Sequence, residues 1–208
     1  CILSGGNHLM AVRGKITISQ VTKKAFSNSK VFQNLAYGAA KKKAARLQKE
    51  ALKELDTHVV TQELEKGSSG GGSSLLGGRG NFFGFLGFRE GDQPVMVIRD
   101  TFRNSIKVRN TKGKLKKLTP TSFIWEFIVD IPSSVDIEKE TKTLIWSSRS
   151  WVRGVEKGIT NAANTIFVDS ENSRSGVALQ TTRNIGFINF RPTPYVTEIL
   201  DKLRKQLV

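Results

Sequence analysis

A glycine-punctuated run of phenylalanines at 77–88, Gly-Gly-Arg-Gly-Asn-Phe-Phe-Gly-Phe-Leu-Gly-Phe, constrains the fold more than any other stretch. Phe83 and Phe85 stand two apart, and that spacing places side chains on one face of an extended strand. Phe82, Leu86 and Phe88 then take the opposite face. With both faces apolar, the stretch predicts a core strand buried on both sides, which also supports a packing surface for another subunit. Gly84 and Gly87 weaken such a strand but allow close backbone approach or a bulge.

The 208-residue chain is long enough for one sizeable domain with extensions. It carries 33 Lys and Arg against 18 Asp and Glu, a net +15, with a pI near 10.2. A balance this basic favours polyanions: nucleic acid, an anionic membrane or an acidic protein surface. It carries no information about base sequence. No apolar run approaches the roughly 18 residues that would span a membrane. Residues 1–10 lack the basic start and long apolar centre of a signal peptide. Met10, followed by Ala-Val-Arg-Gly-Lys, reads as a start of translation, which would make residues 1–9 an extension. The single cysteine, Cys1, excludes an internal disulfide and any cysteine-based metal cluster.

In chain order, Ile16 and Ile18 alternate with Lys15 and Thr17, a short half-buried strand within 12–21. Ser27, Asn28 and Ser29 are N-cap residues for a helix from about 29 to 56. Ala40, Ala44, Leu47, Ala51 and Leu55 step by three or four and share its buried face. Lys41, Lys42, Lys43, Arg46, Lys49 and Lys53 fall largely off that stripe and read as a solvated face. His58 reads as a hydrogen-bonding or capping residue. The composition at 67–74, Gly-Ser-Ser-Gly-Gly-Gly-Ser-Ser, predicts a mobile loop that lacks the phosphate-loop pattern. Pro94 opens a short helix carrying Val95, Ile98, Phe102 and Ile106. The stretch 109–117 predicts a basic hairpin tip or long loop between two strands, with Lys112, Lys114, Lys116 and Lys117 placed to face a phosphate backbone; the plainer reading is a charged edge that discourages sheet-to-sheet pairing. Residues 122–131 form the clearest strand, ended by Pro132. Short helical turns follow at 135–140 and at 152–158. Strands are predicted within 165–169, 177–182 and 185–190, the last two joined at Arg183-Asn184. Tyr195, Ile199, Leu203 and Leu207 line a C-terminal helix. Together these elements predict an α+β fold: a mixed, mainly antiparallel sheet packed with a long N-terminal helix and a C-terminal helix. Residues 1–27 form an extension with a short strand, and 28–208 a single domain with a flexible Gly/Ser loop at 67–74.

Enzyme chemistry has little to draw on. Only His8 and His58 are available as histidine bases, and the serines lack a Gly-x-Ser-x-Gly elbow. The acidic residues form neither an Asp-x-Asp nor a His-Glu-x-x-His pattern. The expectation is therefore a non-enzymatic protein with no catalytic residue, no cofactor and no metal, built for assembly.

Three phrases point to a family. They are Gly78-Arg79-Gly80-Asn81-Phe82-Phe83-Gly84-Phe85-Leu86-Gly87-Phe88, Ser148-Arg149-Ser150-Trp151-Val152-Arg153-Gly154-Val155-Glu156-Lys157-Gly158, and Asn172-Ser173-Arg174-Ser175-Gly176 with Gln180. In that order, from about Leu35 to the C-terminus, the chain resembles tailed-bacteriophage virion proteins of the neck, or tail-completion, region. The resemblance implies copies in a closed ring, sixfold or twelvefold, joining head and tail around the DNA channel. Its implied partners are other copies, neighbouring portal, connector or tail proteins, and non-specific DNA, with no membrane. Phe82, Arg149, Trp151 and Arg174 are the implied subunit-interface residues. A second expectation, from charge alone, is a basic nucleic-acid-binding protein acting as a monomer or small complex.

Overall fold

The computed structural model describes residues 10–19, 30–109, 113–118, 122–144, 149–159, 165–166, 178–180 and 190–207. The fold is α+β, as predicted, and the chain gathers into two compact units, each assembled from separate segments. Unit 1 comprises Cys1–Leu52, Thr101–Ser133 and Ile199–Val208; unit 2 comprises Lys53–Asp100 and Ser134–Glu198. Three helices contribute residues to both units: α1 (Lys30–Thr57), α4 (Pro94–Ser105) and α7 (Val196–Leu207).

Unit 1 is organised on the strand that the β-branched and aromatic run predicts, β4 (Ser122–Ile131). β1 (Met10–Ser19) pairs antiparallel along all of it, from Met10 opposite Ile131 to Ser19 opposite Ser122. The other edge of β4 carries two short strands in succession. β2 (Lys107–Val108) lies opposite Asp130 and Val129, and β3 (Lys114–Leu118) opposite Glu126 to Phe123, with a bulge at Lys116. Trp125, Phe127, Val129 and Ile131 alternate along β4 and are buried, the period-two pattern of a strand with one core face. Ala36 and Ala40 of α1 close onto Trp125 and Phe127, with Phe32, Tyr37 and Val108 packed around them. Alanine at those two positions lets the helix backbone approach the indole and phenyl rings. Gly113 is equally tight: a Cβ there would stand 2.7 Å from the Phe127 ring.

The basic segment is therefore not a hairpin tip: its first part lies between two strands, β2 and β3, and its second part is a charged sheet edge. β3 and β4 are consecutive in the chain and antiparallel partners. Lys114, Lys116 and Lys117 are strand residues of the sheet edge. Lys112 lies outside the described residues.

Unit 2 holds the phenylalanine run, and here the strand expectation fails. Residues Phe82–Phe85 form one helical turn, α3, with Asn81 as its N-cap. Unit 2 also contains α2 (Val59–Glu65), α5 (Ser134–Glu140), α6 (Trp151–Lys157) and a two-stranded antiparallel ladder, β5 (Thr165–Ile166) with β6 (Leu179–Gln180). The predicted partner strand within 185–190 and the turn at Arg183-Asn184 fall almost wholly outside the described residues.

Candidate assembly and polyanion surfaces

The burial forecast for the phenylalanine run holds although its secondary structure does not. Phe82, Phe83, Phe85, Leu86 and Phe88 are all buried. A helical turn followed by a tight bend sends the five side chains inward from one short segment. Phe82 and Phe85 stack at 6.1 Å, and each contacts Phe190, at 5.9 and 5.7 Å. Phe88 meets Trp151 edge-on at 5.9 Å, and Trp151 continues to Tyr195 at 6.1 Å. Ring pairs in these geometries add to the burial of their area.

Asn81 holds this arrangement together. Its Oδ1 accepts from the Gly84 N–H at 2.7 Å, capping α3. Its Nδ2 donates to the carbonyl oxygens of Gly67 and Gly70, each at 2.8 Å, and of Ser68 at 3.3 Å. The Gly/Ser segment that composition marks as mobile is thus fastened to the aromatic core. It contains two 3-10 turns, Gly67–Ser69 and Ser74–Leu76. Ser73 N–H donates to Gly80 O at 2.9 Å, and Gly78 N–H to Ser73 O at 2.8 Å. A Cβ on Gly72 would stand 2.2 Å from the Gly78 carbonyl oxygen, so only glycine permits that crossing of backbones.

Other polar groups of unit 2 serve as fasteners. His58 caps α2, its Nδ1 accepting from Val60 N–H at 3.2 Å, as predicted. The Glu156 carboxylate accepts from the N–H groups of Tyr195 and Thr197 and from the Thr197 hydroxyl, capping the start of α7. Tyr195 and Thr61 share a buried hydroxyl pair at 2.6 Å, and burial drives the Tyr195 phenol well above its ordinary value.

Of the four expected interface residues, Phe82 and Trp151 are each 1% exposed. Both rings are occupied by contacts within unit 2, so they are core residues and not free surface. Arg149 is exposed, and Arg174 lies outside the described residues. Among the described residues, no interface cluster is brought together from these positions.

A cleft of about 330 Å³ in unit 2 is lined by Leu64, Glu65, Asp92, Pro94, Met96 and Arg99 among others. Its charges have partners of opposite sign. Arg99 donates to Asp56 Oδ1 at 2.7 Å and also pairs with Glu65. Burial lowers the Arg99 pKa, but the bonds to Glu65 and Asp56 outweigh it and raise the value overall. Asp92 pairs with Lys142 at 2.9 Å; burial opposes its ionisation, and the Lys142 and Arg89 hydrogen bonds reverse that and hold the carboxyl below its usual range.

Charge is divided sharply between the units. Unit 1 contains 20 Lys and Arg against 4 Asp and Glu, a net +16; unit 2 contains 13 against 14, a net −1. Arg109, within the predicted tip, is not an open cation: its guanidinium holds the buried Asp130 at 2.7 Å while its N–H donates to Ile128 O. On α1 the picture differs. Lys42, Arg46 and Lys49 are exposed. Arg46 faces Glu50 at 3.5 Å, whereas Lys42 and Lys49 have no ion-pair partner among the described residues. Lys41 lies over the Tyr37 ring at 5.9 Å.

Among the described residues no group of three or more His, Cys, Asp or Glu is placed to hold a metal ion, and no helix is long and apolar enough to cross a membrane. No protein-family model, no curated protein and no solved structure matches the chain.

Proposed function

We propose that this chain is a structural virion protein of a tailed bacteriophage. In this reading it forms part of a neck or tail-completion ring that joins head and tail around the DNA channel, and it acts without catalysis. One observation carries the reading: two of the three phrases that bear the resemblance pack against each other. Phe88 ends the first phrase and Trp151 lies within the second, and their rings meet edge-on in the core of unit 2. Phrases far apart in sequence therefore behave as one structural module, which supports treating them as one signature. The ring would be heterologous, one patch meeting a different patch until the rotation closes.

Native mass spectrometry and electron microscopy of the purified chain, and of particles, test the reading. The expected result is closed sixfold or twelvefold rings, or the chain incorporated between head and tail. A stable monomer that is absent from particles refutes it. The second reading, a basic nucleic-acid-binding protein acting alone, is favoured by the concentration of positive charge in unit 1. It predicts a soluble monomer whose DNA affinity falls steeply with salt.

A further inference from the structure

We infer that the outer face of α1 within unit 1, carrying Lys42, Arg46 and Lys49, is a contact surface for the phosphate backbone of double-stranded DNA. The inference deepens the DNA-channel part of the reading above and rests on that reading only for where the DNA would be met.

The geometry is simple. Residues 42, 46 and 49 are spaced four and three apart, so they share one helix face. The buried stripe Ala36, Ala40, Ala44, Leu47 and Ala51 occupies the opposite side. At 1.5 Å per residue the three cations cover about 10 Å of axis. One DNA strand offers a phosphate every ~3.4 Å of its own axis, so the face spans about three phosphates, within reach of long Lys and Arg side chains.

Charge selects the occupant. Lys42 and Lys49 have no anion on the protein to satisfy them among the described residues. A second copy is a weaker match, because its unit 1 is strongly positive and its unit 2, with 13 basic against 14 acidic residues, offers almost no net negative charge. A membrane surface is disfavoured by the same helix. Lipid-binding helices bury their apolar face in the bilayer, and the apolar face of α1 is already buried in the protein, with Ala36 and Ala40 against Trp125 and Phe127, and Ala44, Leu47 and Ala51 buried beyond them. Base readout is not expected. Lys and Arg on phosphates position a protein without reading sequence, and the amide of Gln48 is occupied, donating to carbonyl oxygens of Phe102, Arg103 and Ile106.

The test is the salt dependence of binding by the full chain to two labelled duplexes of unrelated sequence, followed by fluorescence anisotropy. Each neutralised phosphate contributes about 0.9 to the slope of log affinity on log salt. The variant Lys42→Gln/Arg46→Gln/Lys49→Gln should therefore lose about 2.7 of slope. Between about 50 and 200 mM salt the wild type should weaken about forty-fold more than the variant. Both duplexes should respond equally. Lys42→Arg/Lys49→Arg should keep the wild-type slope, and so should Arg89→Gln/Lys157→Gln/Arg191→Gln, which removes three exposed charges from unit 2. If the triple variant is misfolded by circular dichroism, Lys42→Gln and Lys49→Gln singly should each lose about 0.9. The inference is overturned by an unchanged slope in the α1 variants, by an equal loss in the unit 2 variant, or by a wild type that binds anionic vesicles and no duplex. A chain that forms no ring yet binds duplexes through α1 removes the ring reading and leaves this one standing.

Discussion

Replacing Asn81 tests whether one side chain fastens the Gly/Ser segment to the aromatic core. Asn81→Ala removes the cap on Gly84 N–H and the donors to Gly67 O and Gly70 O. The contact to Ser68 O, at 3.3 Å, shares a proton with these, because an amide nitrogen carries only two. Loss of a side-chain N-cap costs about 1 kcal/mol and each neutral hydrogen bond about 1 more. The sum is a destabilisation of about 3 kcal/mol, read by urea unfolding followed through tryptophan fluorescence and circular dichroism. Asn81→Asp separates the two roles. It keeps the acceptor for Gly84 N–H, and a carboxylate at a helix N-terminus gains up to about 1 kcal/mol. It also sets a negative oxygen against two carbonyl oxygens that Nδ2 now holds at 2.8 Å. At neutral pH Asn81→Asp should therefore be no more stable than Asn81→Ala. It should regain stability as pH falls through the carboxyl range, when the protonated acid becomes a donor. Hydrogen exchange across residues 67–80 should rise in both variants at neutral pH. An Asn81→Asp protein as stable as wild type at neutral pH, with unchanged exchange there, would refute the argument that these carbonyl contacts hold the segment.

Two further outcomes follow from unit 2. Tyr195 keeps its proton in the folded state far above the ordinary phenol value of about 10. A raised folded pKa gives stability that is complete below the unfolded value and is lost as pH rises past it, so alkaline unfolding should begin above about pH 10. Ultraviolet titration should show one of the two tyrosines ionising only with unfolding, and a Tyr195 that titrates normally in the folded protein would contradict the burial. Phe85→Asp puts an unpaired carboxylate where the ring is fully buried between Phe82 and Phe190. It should abolish cooperative unfolding of unit 2, and a soluble, cooperative variant would show that the site is not core.

What was legible in the sequence depended on length of pattern. α1 and α7 extend over many turns, so Ala40, Ala44, Leu47, Ala51 and Leu55, and Ile199, Leu203 and Leu207, declared their buried faces through spacing alone. β4 was legible because seven of its ten residues are β-branched or aromatic and Pro132 follows them directly. The phenylalanine run was too short for period to decide. With Phe82, Phe83, Phe85, Leu86 and Phe88 all apolar, strand and helix spacing fit equally well. The deciding signal was Asn81, an N-cap residue directly before the apolar cluster, outweighed by the two-residue spacing of Phe83 and Phe85. Phe82 and Trp151 were misplaced at an interface for a related reason. Trp and Arg are enriched at hot spots, but composition cannot separate a hot-spot tryptophan from a core one, and Trp151 is core. The basic tip failed because lysines around Gly113 look like a turn. The actual constraint on Gly113 is the Phe127 ring beneath it, a contact between residues that no local pattern joins. The division of charge was open to counting in the sequence, yet invisible until contacts assigned residues 1–52, 101–133 and 199–208 to one body.

That division has a consequence that needs no partner. Sixteen net positive charges in one compact unit repel one another, and self-repulsion lowers the stability of a compact state. At about 0.15 M ionic strength the screening length is ~8 Å, and at 1 M ~3 Å, so added salt relieves repulsion between neighbours on the surface of unit 1. Unit 2, with 13 basic and 14 acidic residues and with ion pairs such as Asp92–Lys142 and Arg99–Asp56, gains no such relief. Raising sodium chloride from about 0.05 to 0.5 M should therefore slow hydrogen exchange in α1 and β4 of unit 1 more than in α6 of unit 2. A general salting effect on apolar burial would slow both alike, since each unit has its own buried core. Equal changes in the two units, measured by peptide-resolved exchange on the full chain, would mean that the charge excess is already offset within unit 1.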